Sequence, residues 1–192
     1  MGGVCHGAGM SENVVIGLLR AVNVGGRKLT SAQLRGVAED LGYTEVATYV
    51  NSGNVVLVAP HGAPRVADEL HAALTAEAGF DAPVVTRTAA QWDALVDALP
   101  FPDEARDDPS HLVVVAWDDE PAATAASTDL SRYGRERLAW RGTELYAYYP
   151  DGIGRSKLTL PILEKTAGRT GTARNWNTVL ALARLARERL PR

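Results

Sequence analysis

At 192 residues, 46% of them apolar and with a formal net charge of −3, the chain can bury a core as one domain or as two small ones, and its overall charge excludes a cationic nucleic-acid coat. The single cysteine, Cys5, excludes an internal disulfide and a cysteine-rich metal site. No apolar run approaches the ~20 residues of a membrane span, and the first such run is too short for a signal peptide and ends at Arg20. A cytoplasmic protein with no membrane partner is therefore expected.

Residues 1–13 are glycine-rich and aperiodic and read as a flexible N-terminal tail. The run 14–19 has the nearly continuous apolar character of a buried strand. Thr30-Ser31-Ala32-Gln33 matches a capping box, Leu34, Val37, Ala38 and Leu41 follow at helical spacing, and Gly42 closes that helix. Stretches 46–50 and 55–58 predict two strands joined through Asn51-Ser52-Gly53-Asn54. Pro64 opens a second helix carrying Val66, Leu70, Ala73 and Leu74 on one face, with Gly79 after its end, and 83–88 is a short strand. The order is β-α-β-β-α-β, so 14–100 reads as a ferredoxin-like α+β subdomain with both helices on one face of an antiparallel sheet. A further capping box at Thr88–Gln91 precedes a stripe of Trp92, Leu95, Val96 and Leu99, stopped by Pro100.

Residues 101–110 are acidic and contain proline, and read as a linker or loop. Strand 111–117 follows, then a weak helix after Pro121 and a hairpin of 137–140 with 144–149 through Arg141-Gly142-Thr143. A helix must begin near 158–160, because Pro161 is tolerated only in a first turn. A last helix starts at about Asn175, with Trp176, Val179, Leu180 and Ala183 on one side. The half 111–192 thus reads β-α-β-β-α-α, a second, smaller α+β subdomain with basic C-terminal helices. A degenerate copy of the first half is one reading of it, although no sequence repeat supports the duplication. From Gly152 onward nine basic residues face only Glu164 and Glu188, an excess of seven positive charges that leaves the rest of the chain ten negative. That asymmetry points either to an anionic partner or to mutual neutralisation within the fold.

Three polar loops have the residue types of a ligand site. The first, Arg20 to Lys28, holds Asn23, Gly25 and Gly26 between a strand and a capped helix, where glycines let backbone amides approach a ligand and a helix start favours negative charge. The second, Asp151 to Lys157, supplies Arg155, Ser156 and Lys157, the logic of a phosphate cradle without the Walker spacing. The third, Thr172 to Thr178, contains Arg174, Asn175, Trp176 and Asn177, and Asn175 as a helix N-cap accounts for part of it. The central turn adds Asn51, Ser52 and Asn54, for which turn chemistry also suffices. The histidines have no metal-binding spacing, no nucleophile elbow is present, and no catalytic residue or cofactor is assigned.

Leu18-Leu19-Arg20-Ala21-Val22-Asn23-Val24-Gly25-Gly26, Tyr49-Val50-Asn51-Ser52-Gly53-Asn54-Val55-Val56, Gly154-Arg155-Ser156-Lys157-Leu158 and Thr172-Ala173-Arg174-Asn175-Trp176-Asn177-Thr178 resemble, in order, the signatures of domain of unknown function 1697, a bacterial family. The resemblance spans roughly 14–185 and implies an α+β fold with ferredoxin-like character, and no activity. The family commonly has glycine where this chain has Ala21, which implies a backbone with no need of positive φ there. The expectation is that Arg20, Asn23, Arg155, Ser156, Lys157, Arg174, Asn175 and Asn177 line one site for a phosphate-bearing or otherwise anionic ligand, a nucleotide or nucleic acid. A small transferase or hydrolase using Ser52 or Ser156 on a phosphorylated substrate, and an interaction protein without ligand, are the alternatives.

Overall fold

The computed structural model describes residues 14–22, 25, 26, 28–50 and 53–190, and the expectations for residues 1–13, Asn23, Asn51 and Ser52 lie outside them. Among the described residues the chain is α+β, with two four-stranded antiparallel sheets and six α-helices. It divides into two units, one formed by residues 1–94 with 181–192 and the other by 95–180.

In the first unit the order is β1 (Val14–Leu19), α1 (Ser31–Asp40), β2 (Thr44–Thr48), β3 (Asn54–Val58), α2 (Ala63–Ala78) and β4 (Val84–Thr88). The sheet order is β2-β3-β1-β4, antiparallel throughout. Both helices lie on one face: Leu34 and Ala38 of α1 and Val66, Leu70 and Leu74 of α2 share a buried cluster with Val15, Leu19, Val55 and Leu57. Truncation of a fully buried leucine such as Leu70 costs about 2–5 kcal/mol. Local chemistry sets the helix ends as expected. Thr30 and Gln33 form the reciprocal capping box, at 3.1 Å and 3.0 Å, Pro64 sits in the first turn of α2, and Gly79 caps it in the left-handed region.

Strand β2 carries a register shift between Thr44 and Ala47, where Glu45 has φ 52°. Its carbonyl accepts the Arg189 Nε at 2.5 Å, so the bulge turns a backbone acceptor toward the C-terminal segment of the same unit. A partly buried polar network sits at the N-terminal end of α2. Tyr43 Oη donates to Glu69 at 2.5 Å, Arg65 Nε donates to the second Glu69 oxygen at 2.8 Å, and His61 Nε2 lies 3.1 Å from the first. The bonds from Tyr43 and Arg65 pull the Glu69 carboxyl down to about 2, while burial above all, then the Glu69 bond, pushes the Tyr43 hydroxyl up.

Thr88 ends β4 and caps α3 (Ala89–Asp97) with no loop residue between them, through the expected pair of bonds with Gln91. Residues 101–110, expected as a linker or loop, contain α4 (Pro102–Asp107), with Asp103 and Glu104 in its first turn, where the helix dipole favours them.

The second unit holds β5 (Leu112–Trp117), β6 (Arg137–Arg141), β7 (Glu144–Tyr148), α5 (Leu160–Ala167) and β8 (Gly171–Asn175), with sheet order β6-β7-β5-β8. This is the order of the first sheet, strand for strand, with α5 in the place of α2. Two expectations are corrected here. The weak helix after Pro121 is absent. Two 3-10 turns, Ala125–Ser127 and Ser131–Tyr133, connect β5 to β6, because the segment is rich in Thr, Ser and Asp with no helical apolar stripe. The order β-α-β-β-α-α omitted β8, which pairs antiparallel with β5 from Val113↔Asn175 to Trp117↔Gly171. Helix α6 (Trp176–Arg187) follows directly. Trp176, Val179 and Ala183 are buried on it as expected, whereas Leu180 is 43% exposed and Leu182 and Ala186 are buried instead. No helix among the described residues is long and apolar enough to cross a membrane.

Candidate functional site

Strand pairing brings the four polar segments together two by two. Leu19 ends β1 opposite Val84, and Leu18 lies opposite Asn54, so the Arg20–Gly26 loop and the Val50–Asn54 turn leave the same end of the first sheet. Leu19 N donates to Gly53 O at 2.8 Å, and the Ser31 hydroxyl of α1 reaches Val50 O at 3.4 Å. The backbone at this end is strained. Ala21 has φ 54° and Val50 φ 47°, alongside Gly25, Gly26 and Gly53 at positive φ. The expectation for Ala21 is thus overturned: the position does take the left-handed conformation that a family glycine would occupy freely, and alanine bears the steric cost. Gly53 is required for a second reason, since a Cβ there would lie 2.6 Å from Val22 Cγ2 and 2.8 Å from Leu19 Cβ.

Arg20 is half-buried, and its amide donates to Pro83 O at 2.9 Å. Asn54 is fully buried, and its side-chain amide donates to Tyr49 O at 3.0 Å, which makes it a brace of the turn. Beside these loops, a shallow cavity of about 360 Å³ runs between α1 and the edge strand β2, with Arg35 and Glu39 on its rim.

In the second unit the segments emerge at the other end of the equivalent sheet. Leu112 opens β5 opposite Tyr148, and Val113 lies opposite Asn175, so the Asp151–Lys157 loop after β7 and the start of α6 after β8 share that end. The shared strand order therefore does not place the signature segments at matching positions in the two units.

The Asp151–Lys157 loop is held from three sides. Arg135 bonds both Asp151 carboxylate oxygens at 2.9 Å. Gly152, at φ 82°, packs against the His111 ring, whose Nε2 would stand 3.2 Å from a Cβ. His111 Nδ1 in turn lies 2.8 Å from the Asp108 carboxylate, which also accepts the Tyr148 hydroxyl at 3.1 Å. The Ser156 hydroxyl donates to Glu136 and accepts the Leu158 amide at 2.9 Å, which closes the turn into α5. Arg155 and Lys157, on either side of it, are exposed and have no carboxylate partner among the described residues.

The other cations of the basic C-terminal segment are largely engaged. Arg169 pairs with Asp119, Arg184 with Glu188 and Arg187 with Asp93, and Arg189 bonds two backbone carbonyls. Arg174 is half-buried on β8, bonds Thr172 Oγ1 at 2.7 Å and Ala173 O at 2.8 Å, and is pushed down to about 10 by burial. Asn175 is the N-cap of α6, and Asn177 is exposed in its first turn. Among the described residues no group of histidine, cysteine, aspartate and glutamate has the arrangement to hold a metal.

Sequence reasoning missed Glu136 and Arg135, which meet Ser156 and Asp151 from 20 and 16 residues away, because no local spacing signals such contacts.

A family model described as protein of unknown function (DUF1697) matches residues 13–146. The match contains the first two signature segments, while 154–158 and 172–178 lie beyond it. No curated protein matches the chain. Among solved structures, the conserved bacterial protein SP0830 from Streptococcus pneumoniae is similar, with 19% identity, a TM-score of 0.72, and coverage of 91% of this chain and 98% of that one. At this identity the likeness shows the fold alone.

Proposed function

The chain belongs to that family of proteins of unknown function, so membership carries no activity, and we propose from its own residues that it binds a phosphate-bearing ligand, a nucleotide, at the Asp151–Lys157 loop. The observation that carries this reading is the pair Arg155 and Lys157. Both are exposed and unpaired among the described residues, in a glycine-containing loop whose acid, Asp151, is already neutralised by Arg135. Arg137, at the same end of the sheet, and Arg169, beyond the far end of α5, both have carboxylate partners. A guanidinium fork and an ammonium two residues apart suit one phosphate group: the first binds two oxygens in plane, the second a third as a point charge.

Two charge-assisted contacts at about 1.5–3 kcal/mol each amount to roughly millimolar affinity for a bare phosphate. A useful ligand therefore needs further contacts. Two free cations are also too few for the long salt-sensitive footprint of a nucleic acid, which favours a small nucleotide over a polymer. Titration of pyrophosphate into the full chain by calorimetry tests the reading. Weak binding is expected, lost in Arg155→Ala and in Lys157→Ala and kept in Lys165→Ala, a cation on the exposed side of α5. Equal losses in all three variants, or none in the first two, would remove the loop as the site.

A further inference from the structure

The first unit covers the core face of its sheet with α1 and α2, and the second covers the equivalent face with one helix, α5, together with Leu130 and Tyr133 of the β5–β6 connection. Between β5 and β6, where the first unit has α1, the chain runs through its two 3-10 turns and leaves a cavity of about 290 Å³. Its wall is mixed: Leu130, Leu138, Trp140 and Leu158 supply the apolar part, and Thr128, Asp129, Ser131, Arg135 and Glu136 the polar part. Trp140 is stacked on Trp117 with ring centres 5.8 Å apart and planes 12° from parallel, so a flat aromatic surface is fixed in place before any ligand arrives. The rim carries Glu136 and Arg135 side by side. The volume lies just below the roughly 300–1,000 Å³ typical of ligand clefts, which limits an occupant to one ring system.

Resting on the phosphate reading of the Asp151–Lys157 loop, we propose that this cavity is the base subsite of the same ligand and that it selects guanine. Loop and cavity are mechanically one piece: Ser156, between the two free cations, donates to Glu136 on the rim, and Leu158, two residues further on, forms part of the wall. The rim chemistry sets the base. A carboxylate only accepts hydrogen bonds and has acceptor sites left after Ser156 takes one, while both bonds from Arg135 to Asp151 leave by a single nitrogen, so other guanidinium N–H groups remain. Guanine presents two adjacent N–H donors beside a carbonyl acceptor, the complement of a carboxylate next to a guanidinium. Adenine in the same pose turns a lone pair toward Glu136. Trp140 supplies the stacking surface for any base and so adds affinity without choice.

Calorimetry with the full chain separates this proposal from the reading beneath it. Pyrophosphate probes the loop alone, and guanosine diphosphate against adenosine diphosphate probes the cavity. The expected result is guanosine diphosphate binding at least about ten-fold tighter than either other ligand, one charge-assisted hydrogen bond's worth. Glu136→Gln should abolish the preference for guanosine diphosphate over adenosine diphosphate. Because Glu136 also braces Ser156, Ser131→Trp serves as a second variant: Ser131 is exposed on the cavity rim, and a bulky ring there fills the space without touching the core. It too should lose the guanine preference, and it should keep pyrophosphate. Equal affinities for the two nucleotides and pyrophosphate would overturn the base subsite while leaving the phosphate loop standing. Pyrophosphate binding indifferent to Arg155→Ala would bring down the loop reading first. A guanine-containing oligonucleotide that binds far tighter than guanosine diphosphate, with steep salt dependence, would overturn the mononucleotide assignment.

Discussion

The Thr178 amide donates to the Asn175 side-chain oxygen at 3.0 Å, so the last residue of β8 is also the cap of α6 and no loop separates strand from helix. Thr88 does the same between β4 and α3, through its bonds with Gln91. Each unit thus ends its sheet with an edge strand that turns straight into a helix. The junction is governed by one polar side chain satisfying an amide that would otherwise be orphaned.

Asn175→Ala should therefore act on stability and not on ligand binding. The loss of a helix N-cap costs about 0.5–2 kcal/mol. Urea unfolding should report a lower midpoint with an unchanged slope, while pyrophosphate binding stays at the wild-type level. A variant with normal stability and no anion binding would return Asn175 to the ligand site.

Gly171→Ala should be more damaging than a single methyl usually is. A Cβ at this position would stand 2.6 Å and 2.7 Å from the Trp117 ring and 2.9 Å from Val115, and both neighbours are buried strand residues that cannot swing away. Overpacking of this kind costs about 1–3 kcal/mol. Thermal unfolding of the full chain measures it. A melting temperature equal to wild type would mean that the Trp117–Trp140 stack yields more easily than its geometry indicates.

Asn175 and Gly171 both lie on β8, the strand least legible in the sequence. Strands β1 and β5, with sequences VVIGLL and LVVVAW, declare themselves by composition, as do the helix starts at Thr30, Pro64, Thr88 and Pro161 by capping and proline chemistry. Strand β8, with sequence GTARN, has no branched apolar run and reads as a polar loop. It becomes a strand because β5 offers an unpaired edge, and because Gly171 lets the chain pass under Trp117. Such pairing is a property of the partner and not of the segment. The polar segments were recognisable as special, yet their roles were not. Asn54, Arg174 and Asn175 spend their hydrogen bonds on the fold itself, and only the contacts around them distinguish that from a ligand role.

The Tyr43–Glu69–Arg65 network predicts an acid-sensitive contribution to stability. The native Glu69 carboxyl lies at about 2, below its ordinary 4.5, because it accepts bonds first from Tyr43 and then from Arg65. A carboxyl depressed in the folded state binds its proton more readily when unfolded, so its contribution is complete above pH 4.5 and is lost as the pH falls toward 2. Glu69→Gln should be less stable than wild type at neutral pH, and the difference should shrink across that interval. Chemical unfolding of both proteins at pH 6, 4 and 2.5 gives the comparison, and a constant difference would exclude the linkage.

The strained end of the first sheet should respond in the opposite way to most mutations. Ala21 and Val50 occupy the left-handed region, which costs an L-residue roughly 1–2 kcal/mol and a β-branched one more. Glycine removes that cost and gives back about 0.4–1 kcal/mol through the greater freedom of the unfolded chain. Ala21→Gly should accordingly be stabilising by a few tenths of a kcal/mol up to about 1 kcal/mol. Val50→Gly should gain more, since the side chain is 56% exposed and little burial is lost with it. Val50→Ala is the control: it removes the branch and keeps the Cβ, so it should fall between valine and glycine. Strain of this kind is retained where a loop conformation serves a purpose. A glycine variant less stable than wild type would show that these positions do not carry the cost their φ values imply.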